Sequence, residues 1–407
     1  MAGCGSSPAM RLPTRAAIPS ATSPRPHARR PRGVRMTGAR GSGARGRRLL
    51  DFRSGGWVIA LAILLTGGAI AWRLAGVVRS GGARAVGDGR HVETYGFDLT
   101  PCLVPIMSIV PGGMPKDGVR ALRHPPLMTP QQVDSITRRT HRKYLVPRDR
   151  VVGVALEGAS RAYPIRVLNW HEVVNDTLGG RPIAVTYSPL CDAVVVFDRE
   201  VNGEVLEFGV SGLLWNSNLL MYEKRGDGTS ESLWSQLQGR AIAGPCAASG
   251  RRLSILHAHL VHWESWVDDH PATTVLAPDP KMLKEYRRNP YVSYYGSDRL
   301  RFPVDPLPQD VLLPIKAPVA IVRAGGGDER IVPYPWVALN ADRQGLWRTT
   351  IDGAPVIFRH SDAPSTVDVL PSDAEMALSV AHSFWFACYA AREGKIEGAL
   401  IGKPADR

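Results

Sequence analysis

The chain has 407 residues, five cysteines and a formal net charge of +13. That length suits one large domain or two medium ones. The charge does not mark a nucleic-acid-binding face. The first 56 residues hold 12 Arg and no Lys against a single acid, Asp51, so +11 of the +13 sits there and about +2 remains for the rest.

Residues 1–56 are rich in Arg, Pro, Gly, Ser and Ala and poor in large apolar side chains, which predicts a disordered tail. Residues 57–78 are apolar except for Arg73 near one end, long enough to cross a bilayer with that arginine snorkelling. The Arg-rich flank predicts a cytoplasmic N-terminus, a membrane anchor through 57–78 and an extracytoplasmic bulk. Ala69-Ile70-Ala71 has the small-x-small form of a cleavage site, so a cleaved signal and secretion stand beside the anchor. Residues 79–94 read as a linker.

Beyond the linker come turn signals, Pro111-Gly112-Gly113 and Pro115-Lys116-Asp117-Gly118. Thr129-Pro130-Gln131-Gln132 predicts a helix start, with Thr129 as N-cap. Residues 151–156 and 160–164 read as a hairpin, and 165–175 as a short helix. Residues 183–187 and 193–197 read as strands flanking the turn Ser188-Pro189-Leu190-Cys191. Asn202-Gly203 signals a tight hairpin between 195–197 and 205–208. Residues 219–222 and 241–243 read as short strands, and 261–269 as a helix.

The later part repeats this plan. Ala162-Tyr163-Pro164-Ile165 resembles Pro333-Tyr334-Pro335-Trp336, and the helix around Trp263 has a counterpart around Phe384-Trp385-Phe386. The expectation is a β-rich α+β fold of two divergent related lobes after an N-terminal transmembrane segment. The first lobe spans 95–309 and carries the Ser-Pro-Leu-Cys turn. The second, degenerate lobe spans 310–407.

The Ser188–Cys191 turn carries the main chemical signal. Cys191 is fixed between two strands, with the Ser188 hydroxyl in reach of the sulfur. Hydrogen bonds to a thiolate lower its pKa and make it reactive. The competing reading is a buried, inert thiol. In Trp170-His171-Glu172-Val173-Val174-Asn175-Asp176, His171 is a candidate general base or thiol activator, oriented by Glu172 or Asp176. On a helix His171 and Asn175 share a face. A structural hydrogen-bonded knot, or a metal site from His171 and Glu172, are the alternatives. Tyr187, Trp215, Asn216, Asn218, Trp234 and Gln236 form a candidate polar and aromatic wall for a ligand, or else a set of loop-stabilising hydrogen bonds. His257 and His259 share a strand face, suiting Zn²⁺ or Cu²⁺, or a solvated surface.

Several stretches resemble domain-of-unknown-function family 3179, whose members include selenoproteins. They are Gly112–Gly118, Leu168–Asp176, Thr186-Tyr187-Ser188-Pro189-Leu190-Cys191, Phe208–Asn218, Glu231–Gln236 and Ala241–Pro245. The resemblance covers about residues 95–390. It implies an exported protein and, through selenocysteine, redox chemistry. Members commonly carry Cys at the position of Ser188. That departure rules out a two-thiol cycle within the turn and leaves Cys191 working through a sulfenic acid, resolved by Cys246 or an outside thiol reductant. No cofactor is indicated. Three readings stand: thiol redox chemistry at Cys191 aided by His171 and Ser188, non-catalytic binding of an envelope ligand or partner, and metal binding.

Overall fold

The computed structural model describes residues 85–403, except 141–143, 227–229, 310–311, 363 and 374. The expected tail and the expected membrane segment, 57–78, lie outside the described residues. Among the described residues no helix is long and apolar enough to cross a membrane. The described residues fall in one compact unit.

The architecture is α+β and strand-rich, and the longest described helix, Pro130–Thr140, has 11 residues. Its start follows the sequence, with Thr129 Oγ1 accepting from Gln132 N. The central sheet has eight strands. Along its path the order is Arg330–Pro333, Pro318–Ala324, Leu378–Phe384, Ala193–Asp198, Arg181–Ser188, Val173–Leu178 and Leu122–Arg123, and Ile255–Leu256 also pairs with Ala193–Asp198. Ala193–Asp198 is buried on both faces. Ala193, Val195 and Phe197 enter one core, while Val194 and Val196 enter another. That is the period-2 alternation of a strand, and it explains the unbroken apolar run.

The division into two lobes finds no support. Element order does recur: a hairpin, a seven-residue helix, three antiparallel strands and a closing helix appear twice. Yet Leu378–Phe384, from the second run, pairs with Ala193–Asp198 of the first, His382 opposite Val194. One sheet therefore spans both runs.

Four local expectations need correction. The helix read over 165–175 is Ile165–His171, and the chain turns at Glu172 into the strand Val173–Leu178. His171 and Asn175 therefore do not share a helix face. Val261 and His262 belong to the strand His259–His262, and the helix is Trp263–Asp269. The described end of the linker is docked: the Val86 carbonyl accepts from Lys116 N at 2.8 Å, and Val92 packs against the core around Tyr95. Asn202-Gly203 does form a tight turn, with φ of 54° and 79°, but it joins Glu200–Val201 to Glu204–Val205.

Candidate functional site

The strand Arg181–Ser188 runs into the 3-10 turn Pro189–Cys191, and Asp192, in the left-handed region, restarts the chain as Ala193–Asp198. Cys191 points into the core and is fully buried. Its Sγ donates to the Ser217 carbonyl at 3.2 Å. The Ser188 hydroxyl and the Asn218 amide lie against the sulfur, as the spacing suggested for Ser188. The expected lowering of the thiol pKa is reversed. Burial pushes the Cys191 thiol up to about 12, outweighing those two hydrogen bonds. The four described cysteines are all free. We expect native Cys191 to resist alkylation at pH 8 and to label at the rate of a free thiol only in denaturant. Mass spectrometry of the labelled peptide checks this, and fast native labelling would contradict it.

His171 does not serve the thiol. Its Nδ1 meets the Arg120 carbonyl and its Nε2 meets the Tyr286 hydroxyl, both at 2.8 Å. Burial lowers its pKa, so the neutral ring bridges two partners and has no nitrogen left for a sulfur or a metal. The other polar residues around it are structural. Asn175 clamps the backbone of Phe208 through both amide atoms, each at 2.8 Å. Asp176 is taken by Arg161, Tyr163 and the Thr177 N–H.

The expected polar wall is also closed. Asn218 donates to Gln236, and Gln236 donates to Thr186 Oγ1 and the Ala193 carbonyl. Trp234 Nε1 donates to Glu223 Oε2 at 2.5 Å. Asn216 and Ser217, at φ of 53° and 61°, form the two-residue turn between Phe208–Trp215 and Asn218–Glu223, and Asn216 Oδ1 accepts from Asp305 N. Trp215 pairs with Ile109 at the edge of that sheet. Asn218, Trp234 and Gln236 thus spend their donors within the fold, while the Asn216 Nδ2 is buried without a partner among the described residues.

Glu172 is different. It sits at the C-cap of Ile165–His171 with φ 57° and ψ −35°, a strained conformation for a residue with a side chain. The backbone is fixed from both sides: its N–H donates to the Leu168 carbonyl, and its carbonyl accepts from Tyr187 N at 2.7 Å. Its carboxyl has no hydrogen bond or ion pair among the described residues. That carboxyl faces a cavity of about 260 Å³ over the Ser188–Leu190 turn. The walls are apolar, with Met114, Val119, Val210, Leu214, Leu219 and Phe302, and the polar groups are Glu172, Ser188, Tyr291 and Arg301. Desolvation raises the Glu172 pKa from 4.5 to about 8. Tyr291 lies close enough to feel Glu172 and Arg301: burial first, then the Glu172 charge, pushes its hydroxyl up to about 12, against the pull of Arg301.

One wall depends on a backbone approach that only glycine permits. Gly212 has φ +80°, and a Cβ there would stand 2.5 Å from the Met114 carbonyl oxygen. Its own carbonyl accepts from Gly112 N at 2.8 Å, fastening the Pro-Gly-Gly segment along the cavity.

A cap formed by residues 291–305 closes the other side. Tyr294 and Tyr295 donate to the carbonyls of Leu190 and Pro189, both at 2.9 Å. Ser217 Oγ donates to the Phe302 carbonyl. Arg301 lies 5.0 Å from the Tyr294 ring centre and 5.7 Å from that of Tyr291, with no ion pair among the described residues. Lys316 holds the cap from beneath, donating to the carbonyls of Tyr294, Ser297 and Arg299 with its ammonium 3.5 Å from the Tyr294 ring centre. Lys316→Met keeps the apolar stem and removes the donors. We expect a loss of about 2 kcal/mol and faster protease cleavage between residues 291 and 305. An unchanged cleavage rate would contradict this role for Lys316.

The sequence matches the profile of one family, described as protein of unknown function (DUF3179), over residues 116–391. The chain belongs to the DUF3179 family. No curated protein and no solved structure matches it significantly. The family match takes in Glu172, the Ser188–Cys191 turn and the cap, while Gly112 and Met114 of the cavity wall lie just before it.

Proposed function

We propose that this DUF3179 protein binds a small amphipathic molecule with an oxyanion head, such as a carboxylate, in the cavity over Ser188–Leu190. The observation that carries this reading is the half-buried Glu172 carboxyl, without a partner among the described residues, in a mostly apolar cavity also lined by the exposed Arg301, which has no ion pair among the described residues. Such a carboxyl is neutral at pH 7 and can donate a hydrogen bond to an acceptor. Arg301 supplies the positive charge that an oxyanion requires, and the Leu, Val and Phe walls take an apolar tail. A half-buried carboxyl whose pKa is raised by desolvation and that lines a cleft marks a functional-site candidate. Redox chemistry at Cys191 has less behind it, because a fully buried thiol with a raised pKa is a poor nucleophile. The extracytoplasmic placement belongs to the same proposal and rests on the Arg-rich flank before residues 57–78.

Octanoate is the probe, combining a carboxylate with an apolar chain. Calorimetric titration at pH 7 is expected to give one site in the wild type. Val119→Trp, which fills the cavity from a half-buried wall position, and Arg301→Met are both expected to abolish it. Equal binding by all three proteins, or none by the wild type, would sink the proposal.

A further inference from the structure

A second cluster lies apart from the cavity residues. His257, His259 and Asp368 each offer a ligand atom, and these three atoms lie within 4.8 Å of one another. Their strands come from distant parts of the chain: His259–His262 packs beside Thr366–Pro371. The His257 and His259 rings sit 4.0 Å apart, tilted by 33°.

The hydrogen-bond pattern around these rings leaves lone pairs unspent. The Val369 carbonyl takes a hydrogen bond from the His257 ring. His257 Nε2 is buried with no partner. The proton therefore sits on Nδ1, and Nε2 presents a buried lone pair that no donor among the described residues meets. Leaving a buried acceptor unmet is unfavourable. His259 Nδ1 meets Asp368 Oδ1 at 2.7 Å, which holds the ring beside the carboxylate. Arg359 takes the other Asp368 oxygen at 2.8 Å and also pairs with Asp269. Arg359 thus stands between two carboxylates, beside the two imidazole rings.

We propose that His257, His259 and Asp368 form a binding site for a divalent transition cation of the zinc type. Two imidazoles and one carboxylate are a three-ligand set that leaves a fourth position open. His257 supplies Nε2, fixed in orientation by the Val369 carbonyl. A cation there ties the strand His259–His262 to Thr366–Pro371. His382 is excluded from the set, because its two nitrogens are held by the Tyr334 hydroxyl and the Ala258 carbonyl.

The test uses the untagged full chain, stripped with chelator and titrated with Co²⁺ and then Zn²⁺. One equivalent of Co²⁺ is expected to give a visible absorption that Zn²⁺ abolishes. His257→Ala is expected to weaken Co²⁺ binding at least about tenfold. His257→Gln, which retains a donor for Val369, is the check if the alanine variant fails to fold, with the same expected loss. His262→Ala is expected to leave binding unchanged, since among the described residues that ring meets only the Pro364 carbonyl. No stoichiometric Co²⁺ in the wild type, or equal affinity in the folded His257 variants, would overturn the site.

Discussion

Glu172→Gln is expected to make octanoate binding independent of pH, while wild-type affinity falls by up to about tenfold per pH unit above pH 8. Below that pH the wild-type carboxyl is neutral and donates to the ligand head. Above it the carboxyl is charged and repels an oxyanion. Glutamine keeps a donor and cannot ionise. Stability follows the same group. The native carboxyl holds its proton up to about pH 8, whereas the unfolded chain releases it near 4.5. Between those values the native state binds more protons, so wild-type stability declines as pH rises and levels off above about 8. A tenfold difference in proton affinity between the two states corresponds to about 1.4 kcal/mol. The total decline is smaller than the full span implies, because part of the carboxyl faces the cavity. The glutamine variant lacks this decline, so it should equal the wild type at pH 4 and exceed it at pH 9. Urea unfolding at several pH values, beside the binding titrations, checks both expectations. Parallel pH profiles for the two proteins would contradict them.

Asp192→Asn is expected to cost about 3–5 kcal/mol of stability. Asp192 closes the Ser188–Cys191 turn and takes both terminal nitrogens of Arg150, at 2.7 and 2.6 Å. It also accepts from the Tyr187 hydroxyl at 2.7 Å, and Tyr187 in turn meets Tyr295 of the cap at 2.9 Å. The Asp192 and Arg150 side chains are only 9% and 15% exposed, so water cannot replace the lost charge. Asparagine tolerates the left-handed backbone that Asp192 adopts, with φ 44°. The loss therefore reports the buried charge rather than the turn. A lower urea midpoint at unchanged slope is expected. A change below about 1 kcal/mol would show that the pair behaves like a surface ion pair.

The turn itself is legible in the sequence because its signals are local. A Pro-containing dipeptide step between two β-branched runs fixes where the chain bends, and Thr129 and Asn202-Gly203 act through the same short-range chemistry. The behaviour of Cys191 is not legible. Spacing reveals Ser188 as a hydrogen-bond partner but not the burial that outweighs it. The helix after Ile165 reads too long, because Glu172 breaks it in a left-handed conformation with none of the Gly or Asn signals that normally announce one. Glu172 stands out beside His171 for the wrong reason: its cavity is completed by Tyr291, Arg301 and Phe302, more than a hundred residues later. Arg150 and Asp192, which lock the turn, are 42 residues apart and carry no motif. The polar wall is a reading of residue types alone. Whether Asn218 and Gln236 face a ligand or each other is decided by strand register.

The cavity account stands or falls on the protonation of one carboxyl. Carbon NMR of the chain labelled at glutamate side chains, followed from pH 4 to 10 and assigned with Glu172→Gln, measures it directly. The account predicts one carboxyl titrating with a midpoint near 8, moving upward when octanoate is added. A Glu172 midpoint near 4.5, the ordinary value for this group, would mean that the carboxyl is solvated, and the proposed site would lose its basis.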